Sequence, residues 1–264
     1  MAVRLAFEVL GMGPPVVILH GLFGAGSSWK RLAQSLSASH SVYLPDARNH
    51  GASPWAESMS YPEMAQDVLD LIEREQLEHP FVIGHSMGGK TAMALALLHP
   101  EAIDGVAVVD IAPMHYAGQF ASHVAAMRGV DLAGAEHRRK IRQMLASRLE
   151  GDAPVDFLMQ NLRRQNDCFD WRLNLMATAV CMPDLCGFPE ALHGRRYEGP
   201  ALFVSGGESD YVGNEAHARI LRMFPHAQLQ SIAEAGHWVH ADQPDALLCA
   251  LHEWLSDAVA SAPR

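Results

Sequence analysis

A serine acts as a nucleophile only when a nearby base takes its proton and a set of donors holds the negative charge that follows. This chain carries parts suited to that chemistry in separated stretches. Gly84-His85-Ser86-Met87-Gly88 is a Gly-x-Ser-x-Gly turn, preceded by the apolar run Phe81-Val82-Ile83 and followed by an Ala- and Leu-rich stretch over residues 91–98. Strand, sharp turn and helix in that order predict a nucleophile elbow, which lifts the serine hydroxyl clear of a sheet. The candidate base is His237, in the loop Ala235-Gly236-His237-Trp238 after the final apolar run; His240 is its rival. The candidate acids are Asp110, after Val106-Ala107-Val108-Val109, and Asp210, after Ala201-Leu202-Phe203-Val204-Ser205. Either strand end could reach the imidazole, so the residues alone leave the acid open. His20-Gly21-Leu22-Phe23-Gly24 closes an early strand, and the backbone N–H groups of Leu22 and Met87 are the candidate oxyanion donors.

Positioning these groups requires a layered scaffold. Val16-Val17-Ile18-Leu19 is continuously apolar, as in a strand buried on both faces of a parallel sheet. Helical spacing of apolar residues over 27–38 and 61–76, a strand over 42–46 and a helix over 214–224 continue an alternation of strands and helices. That alternation predicts an α/β fold with a mostly parallel, doubly covered sheet. The closing strand is expected over 229–233 and the last helix over 244–258.

Between residues 113 and 197 the pattern changes to helices with no clear strand, over 119–127, 135–149, 155–164 and 174–180. The chain therefore divides into a sheet domain, 1–112 and 198–264, and an inserted helical cap, 113–197. The cap holds 11 of the chain's 20 Lys and Arg residues, so it is less negative than the rest and could admit an anionic substrate. Solvated helix faces are the plainer account of most of these arginines. Phe23, Phe120, Met127, Phe157 and Trp238 are the candidate substrate-binding residues, with Leu158 and Met176 as further cap positions bearing on pocket size.

Composition narrows the class. A formal net charge of −10 argues against nucleic acid as a partner. No apolar run approaches membrane-spanning length, and the first residues lack a long apolar segment. The four cysteines match no zinc or redox spacing, which points to reduced, buried thiols and a cytoplasmic setting. His237 and His240 have no third ligand at useful spacing, so no metal is expected, and no cofactor. His50 fits a loop-fixing hydrogen bond better than a catalytic role.

Over its whole length the chain resembles the α/β-hydrolase superfamily, and more narrowly the YbfF-type bacterial esterases and their mitochondrial abhydrolase relatives. The residues that carry this are His20-Gly21-Leu22-Phe23-Gly24, Asp46-x-Arg48-Asn49-His50-Gly51-x-Ser53, Gly84-His85-Ser86-Met87-Gly88-Gly89-Lys90, Val109-Asp110-Ile111-Ala112-Pro113 and Ala235-Gly236-His237-Trp238-Val239-His240-Ala241. The resemblance implies hydrolysis of carboxylic esters and acyl thioesters, including acyl-coenzyme A. It also implies a helical cap and Asp110 as the triad acid, while Asp210 stands at the superfamily's commoner acid position. The same machinery could serve hydrolysis of a C–C bond in a vinylogous diketone, and such a shell also serves as a non-enzymatic small-molecule receptor.

Overall fold

The computed structural model describes residues 2–117 and 120–261. Seven strands form one sheet: β1 (Phe7–Leu10), β2 (Pro15–Leu19), β3 (Ser41–Pro45), β4 (Phe81–His85), β5 (Gly105–Val109), β8 (Ala201–Gly206) and β9 (Ala227–Ile232). Their order is β1-β3-β2-β4-β5-β8-β9. Only the β1–β3 pairing is antiparallel. β2, β4 and β5 are apolar runs because both faces are covered. One face carries α2 (Tyr61–Arg74) and α3 (Met87–Leu98), and the other α1 (Lys30–Leu36) and α11 (Pro244–Ser261). α9 (Asn214–Met223) links β8 to β9, and α10 (Val239–Asp242) precedes α11.

The segment between β5 and β8 holds α4 (Phe120–Arg128), α5 (Arg138–Ala146), α6 (Asp152–Leu158), α7 (Leu175–Val180) and α8 (Met182–Cys186). It also holds a two-stranded hairpin, β6 (Leu162–Gln165) and β7 (Cys168–Trp171), where the sequence predicts only helices. Its turn residues, Asn166 and Asp167, both have positive φ, at 49° and 63°. Paired left-handed residues of these types match the twist of a two-residue hairpin. The helix expected over 155–164 therefore ends at Leu158. Gln119, the expected start of the first cap helix, lies outside the described residues.

Two polar motifs fasten this frame. Arg48, 1% exposed, donates from Nε and Nη2 to the two Asp67 oxygens on α2, at 2.6 and 2.8 Å. Asn49 accepts at Oδ1 from Asn174 Nδ2 at 3.0 Å, tying the loop after β3 to the start of α7. His50 uses Nδ1 to hold the Arg48 carbonyl at 2.9 Å, the loop-fixing bond its position suggests. Two of the four cysteines, Cys168 and Cys249, are exposed rather than buried; all four are free.

Candidate active site

Register brings Ser86 and Asp110 side by side. β4 and β5 run parallel with His85 opposite Val109, so the next residues, Ser86 and Asp110, leave the sheet at the same level. Ser86 N–H donates to Val109 O at 3.1 Å, and Asp110 N–H to Val204 O on β8 at 2.8 Å. Both residues have positive φ, 53° and 52°, which an L side chain adopts only under structural constraint. The elbow also requires bare backbone on either side. A Cβ on Gly84 would stand 2.2 Å from Gly88 O, and one on Gly88 would stand 2.3 Å from Leu19 O.

The third member arrives from the loop after β9. His237 donates from Nδ1 to Asp110 Oδ2 at 2.8 Å. That fixes its tautomer, so the bare Nε2 faces Ser86 Oγ at 3.1 Å and accepts from it. Asp110 is wholly buried and takes two further hydrogen bonds, from Gly206 N–H at Oδ1 and the Ser209 hydroxyl at Oδ2. Asp210 is exposed and outside this row. Beyond β8 it is the neighbouring Ser209 that turns inward, donating its hydroxyl to Asp110 Oδ2.

The histidine is held on two sides. Tyr211 stacks on its ring, with centroids 4.1 Å apart and planes at 19°. His85 donates from Nε2 to the His237 carbonyl at 2.8 Å. Burial first, then the neighbouring His237 and His240, keep the His85 pKa well below its ordinary value. His240 stacks on Trp29 at 4.4 Å, and burial brings its pKa down to about 4, so it is neutral at pH 7 and stands away from the serine row. Among the described residues no group of three or more His, Cys, Asp or Glu is arranged to hold a metal ion.

Two chambers meet at Ser86. The first, partly open to solvent, is lined by His237, Trp238, Phe157, Phe120, His240 and Leu22 among others. The second is lined by Leu22, Met87, Lys90, Tyr61, Tyr116 and Tyr211 among others. Leu22 and Met87 thus flank Ser86, and Met87 opens α3, where backbone N–H groups lack helical partners. The His-Gly loop presses on the elbow: a Cβ on Gly21 would lie 3.3 Å from Ser86 Cβ.

Of the five candidate substrate-binding residues, Phe120, Phe157 and Trp238 line the first chamber. Phe23 and Met127 line neither. Phe23 is buried behind the wall, its ring 6.1 Å from Phe120 and 6.3 Å from Phe157. Met127 and Leu158 face the apolar core, and Met176 faces solvent at 61% exposure. Helical spacing marks an apolar side chain without saying which neighbour it meets. The second chamber's Tyr61, Lys90, Tyr116 and Tyr211 are absent from the sequence expectation. Lys90 carried a readable signal, as the one charge in a mostly apolar helix, one turn after Ser86.

Several cap arginines are held by neighbouring groups. Arg142 pairs with Asp156 at 2.7 Å, Arg163 with Asp170 at 2.7 Å and Arg164 with Asp167 at 3.0 Å. Arg138 donates to the carbonyls of Met159 and Leu162.

The profile of the alpha/beta hydrolase family matches residues 16–250. The sn-1-specific diacylglycerol lipase ABHD11 of Xenopus tropicalis is 39% identical over 254 residues, covering 93% of this chain and 79% of its own. Esterase YbfF of Escherichia coli (strain K12) is 36% identical over 244 residues, covering 92% of this chain and 93% of its own. A solved structure described as a marine microorganism esterase superposes with a TM-score of 0.92 at 35% identity, over 96% of this chain and 100% of its own. An elbow at the end of β4, a seven-stranded sheet in this order and a likeness running through nearly all of the sequence make one assignment: the chain belongs to the alpha/beta hydrolase family.

Proposed function

We propose that this chain hydrolyses carboxylic esters and acyl thioesters, acyl-coenzyme A among them. Ser86 is the nucleophile, His237 the general base and acid, and Asp110 the group that fixes and charge-balances the imidazole. The observation that carries this reading is the unbroken row from Asp110 Oδ2 through His237 to Ser86 Oγ, with steps of 2.8 and 3.1 Å. Esterase and lipase relatives of similar length support it.

His237 Nε2 takes the Ser86 proton as Oγ bonds to the acyl carbon. The N–H groups of Leu22 and Met87 hold the oxyanion. As the tetrahedral intermediate collapses, the bond to the leaving oxygen or sulfur breaks and His237 gives that atom the proton. Water, deprotonated by the same nitrogen, then releases the acid and restores Ser86. Asp110 stabilises the imidazolium throughout without taking a proton. Residues 113–197 act as the cap that roofs the two chambers.

Turnover of p-nitrophenyl acetate and butyrate by Ser86→Ala is the test. The expected kcat loss is on the order of 10^5-fold or more. Turnover within tenfold of wild type contradicts the proposal.

A further inference from the structure

Lys90 has no part in that reaction, yet it stands in the same site. It is 2% exposed and lies four residues after Ser86, about 6 Å along the axis of α3. Its Nζ donates to the carbonyls of Cys186 at 2.9 Å and Gly187 at 2.6 Å. It lies 4.9 Å from the Tyr116 ring centroid and 5.5 Å from that of Tyr61. An ammonium has three N–H donors; among the described residues the third has no oxygen acceptor.

No described carboxylate pairs with Lys90, and no other lining residue of the second chamber is an Asp, Glu, Lys or Arg. The tyrosine hydroxyls beside it are committed to backbone, Tyr61 to Leu185 O at 2.6 Å and Tyr116 to Tyr211 O at 2.7 Å. Burial without a counter-charge brings the lysine pKa down to about 7. A buried cation is unfavourable until something negative joins it.

The chemistry divides the chambers. His237 must deliver its proton to the leaving atom, so the leaving group lies in the first chamber, which the imidazole lines. The acyl group then extends into the second, past Leu22 and Met87 towards Lys90. We infer that the second chamber is an acyl site in which Lys90 binds a carboxylate at the far end of a short acyl group, so that the preferred substrates are monoesters or monothioesters of short dicarboxylic acids. This rests on the serine-hydrolase reading above. The nearness of Lys90 to Ser86 sets the length at a few carbons.

The test compares monomethyl glutarate with methyl 5-methylhexanoate, in which an isopropyl group replaces the carboxylate, by methanol release. p-Nitrophenyl acetate serves as a third substrate. A hydrogen-bonded ion pair predicts that wild type favours the charged ester in kcat/KM by about tenfold to a hundredfold. Lys90→Met is expected to bring that ratio to about one or below. A wild-type ratio of one or less, or a variant that loses activity on both esters equally and keeps the ratio, overturns the assignment of Lys90. If p-nitrophenyl acetate is still turned over in that case, the hydrolase reading stands alone; if the wild type cleaves no ester, both fall. Should Lys90→Met fail to fold, competitive inhibition of wild type decides: glutarate is expected to inhibit at least about tenfold more tightly than 5-methylhexanoate. Equal inhibition overturns the inference.

Discussion

The elbow and the segment that roofs it are built in different ways. From Phe81 through Leu97 every residue of β4, the turn and α3 is buried, and the glycines at 84 and 88 leave no room for a Cβ. Between β5 and β8 the helices are short, and several ion pairs sit at the surface where each contributes little. A few specific bonds fasten this roof to the frame: Asn174 to Asn49, Asn161 Nδ2 to Phe23 O at 2.8 Å, Tyr61 to Leu185 and Lys90 to the end of α8. The difference assigns labour. Ser86 and Asp110 stand at the ends of close-packed strands, while Phe120 and Phe157, which line the first chamber, stand on the short helices between β5 and β8.

That division is broken most directly at the two aspartates. Asp110→Asn is expected to lower kcat on a p-nitrophenyl ester by about 10^4-fold, because the amide stabilises the wrong imidazole tautomer. Asp210→Asn is expected to change it by less than about threefold, its side chain being exposed and outside the row. Equal losses, read in parallel steady-state assays, contradict the assignment.

The wall offers a smaller effect of another kind. Phe157 faces the first chamber and lies 5.5 Å from Trp238, ring to ring. Phe157→Ala is expected to raise KM for a bulky aryl ester by about fivefold while kcat stays within about twofold, as loss of apolar contact alone would do. A kcat loss of a hundredfold would mean that the roof takes part in chemistry.

The smallest expected effect is in the frame. Glu63 lies at the start of α2. Partial burial opposes its charge, but hydrogen bonds from the Ser58 and Ser60 hydroxyls and the Ser60 N–H, with Arg48 nearby, hold its carboxyl at about 2. Its contribution to stability is present above its ordinary value of 4.5 and is lost as pH falls through about 2. Wild type is therefore expected to exceed Glu63→Gln in Tm at neutral pH. The gap should narrow steadily below pH 4.5 in a thermal-melt series; a gap independent of pH contradicts the origin given.

The same contrast governs what could be read from sequence. β2 and β5 are unbroken apolar runs, β4 is one up to its closing His85, and Ser86 sits in a turn whose glycines have one physical reason each, so sheet class and elbow were legible. Which aspartate meets His237 was not: Asp110 and Asp210 both follow buried strands, and the choice depends on which side chain turns inward beyond β8. There the structure turns Ser209 inward and leaves Asp210 to solvent. In the roof, Asn166-Asp167 was a usable hairpin signal, overridden by helical spacing on either side. Phe157 and Met127 are both apolar positions on cap helices, yet one meets the chamber and the other the core, because tertiary packing sets that difference.

The central claim is that Ser86 carries the acyl group between two half-reactions. Rapid quenching of wild type with p-nitrophenyl acetate, followed by peptide mapping, measures it directly. An acetyl mass on the peptide containing Ser86, present during turnover and absent from Ser86→Ala, is the predicted result. Ester turnover that persists in Ser86→Ala, with the acetyl mass on another residue or on none, would contradict it.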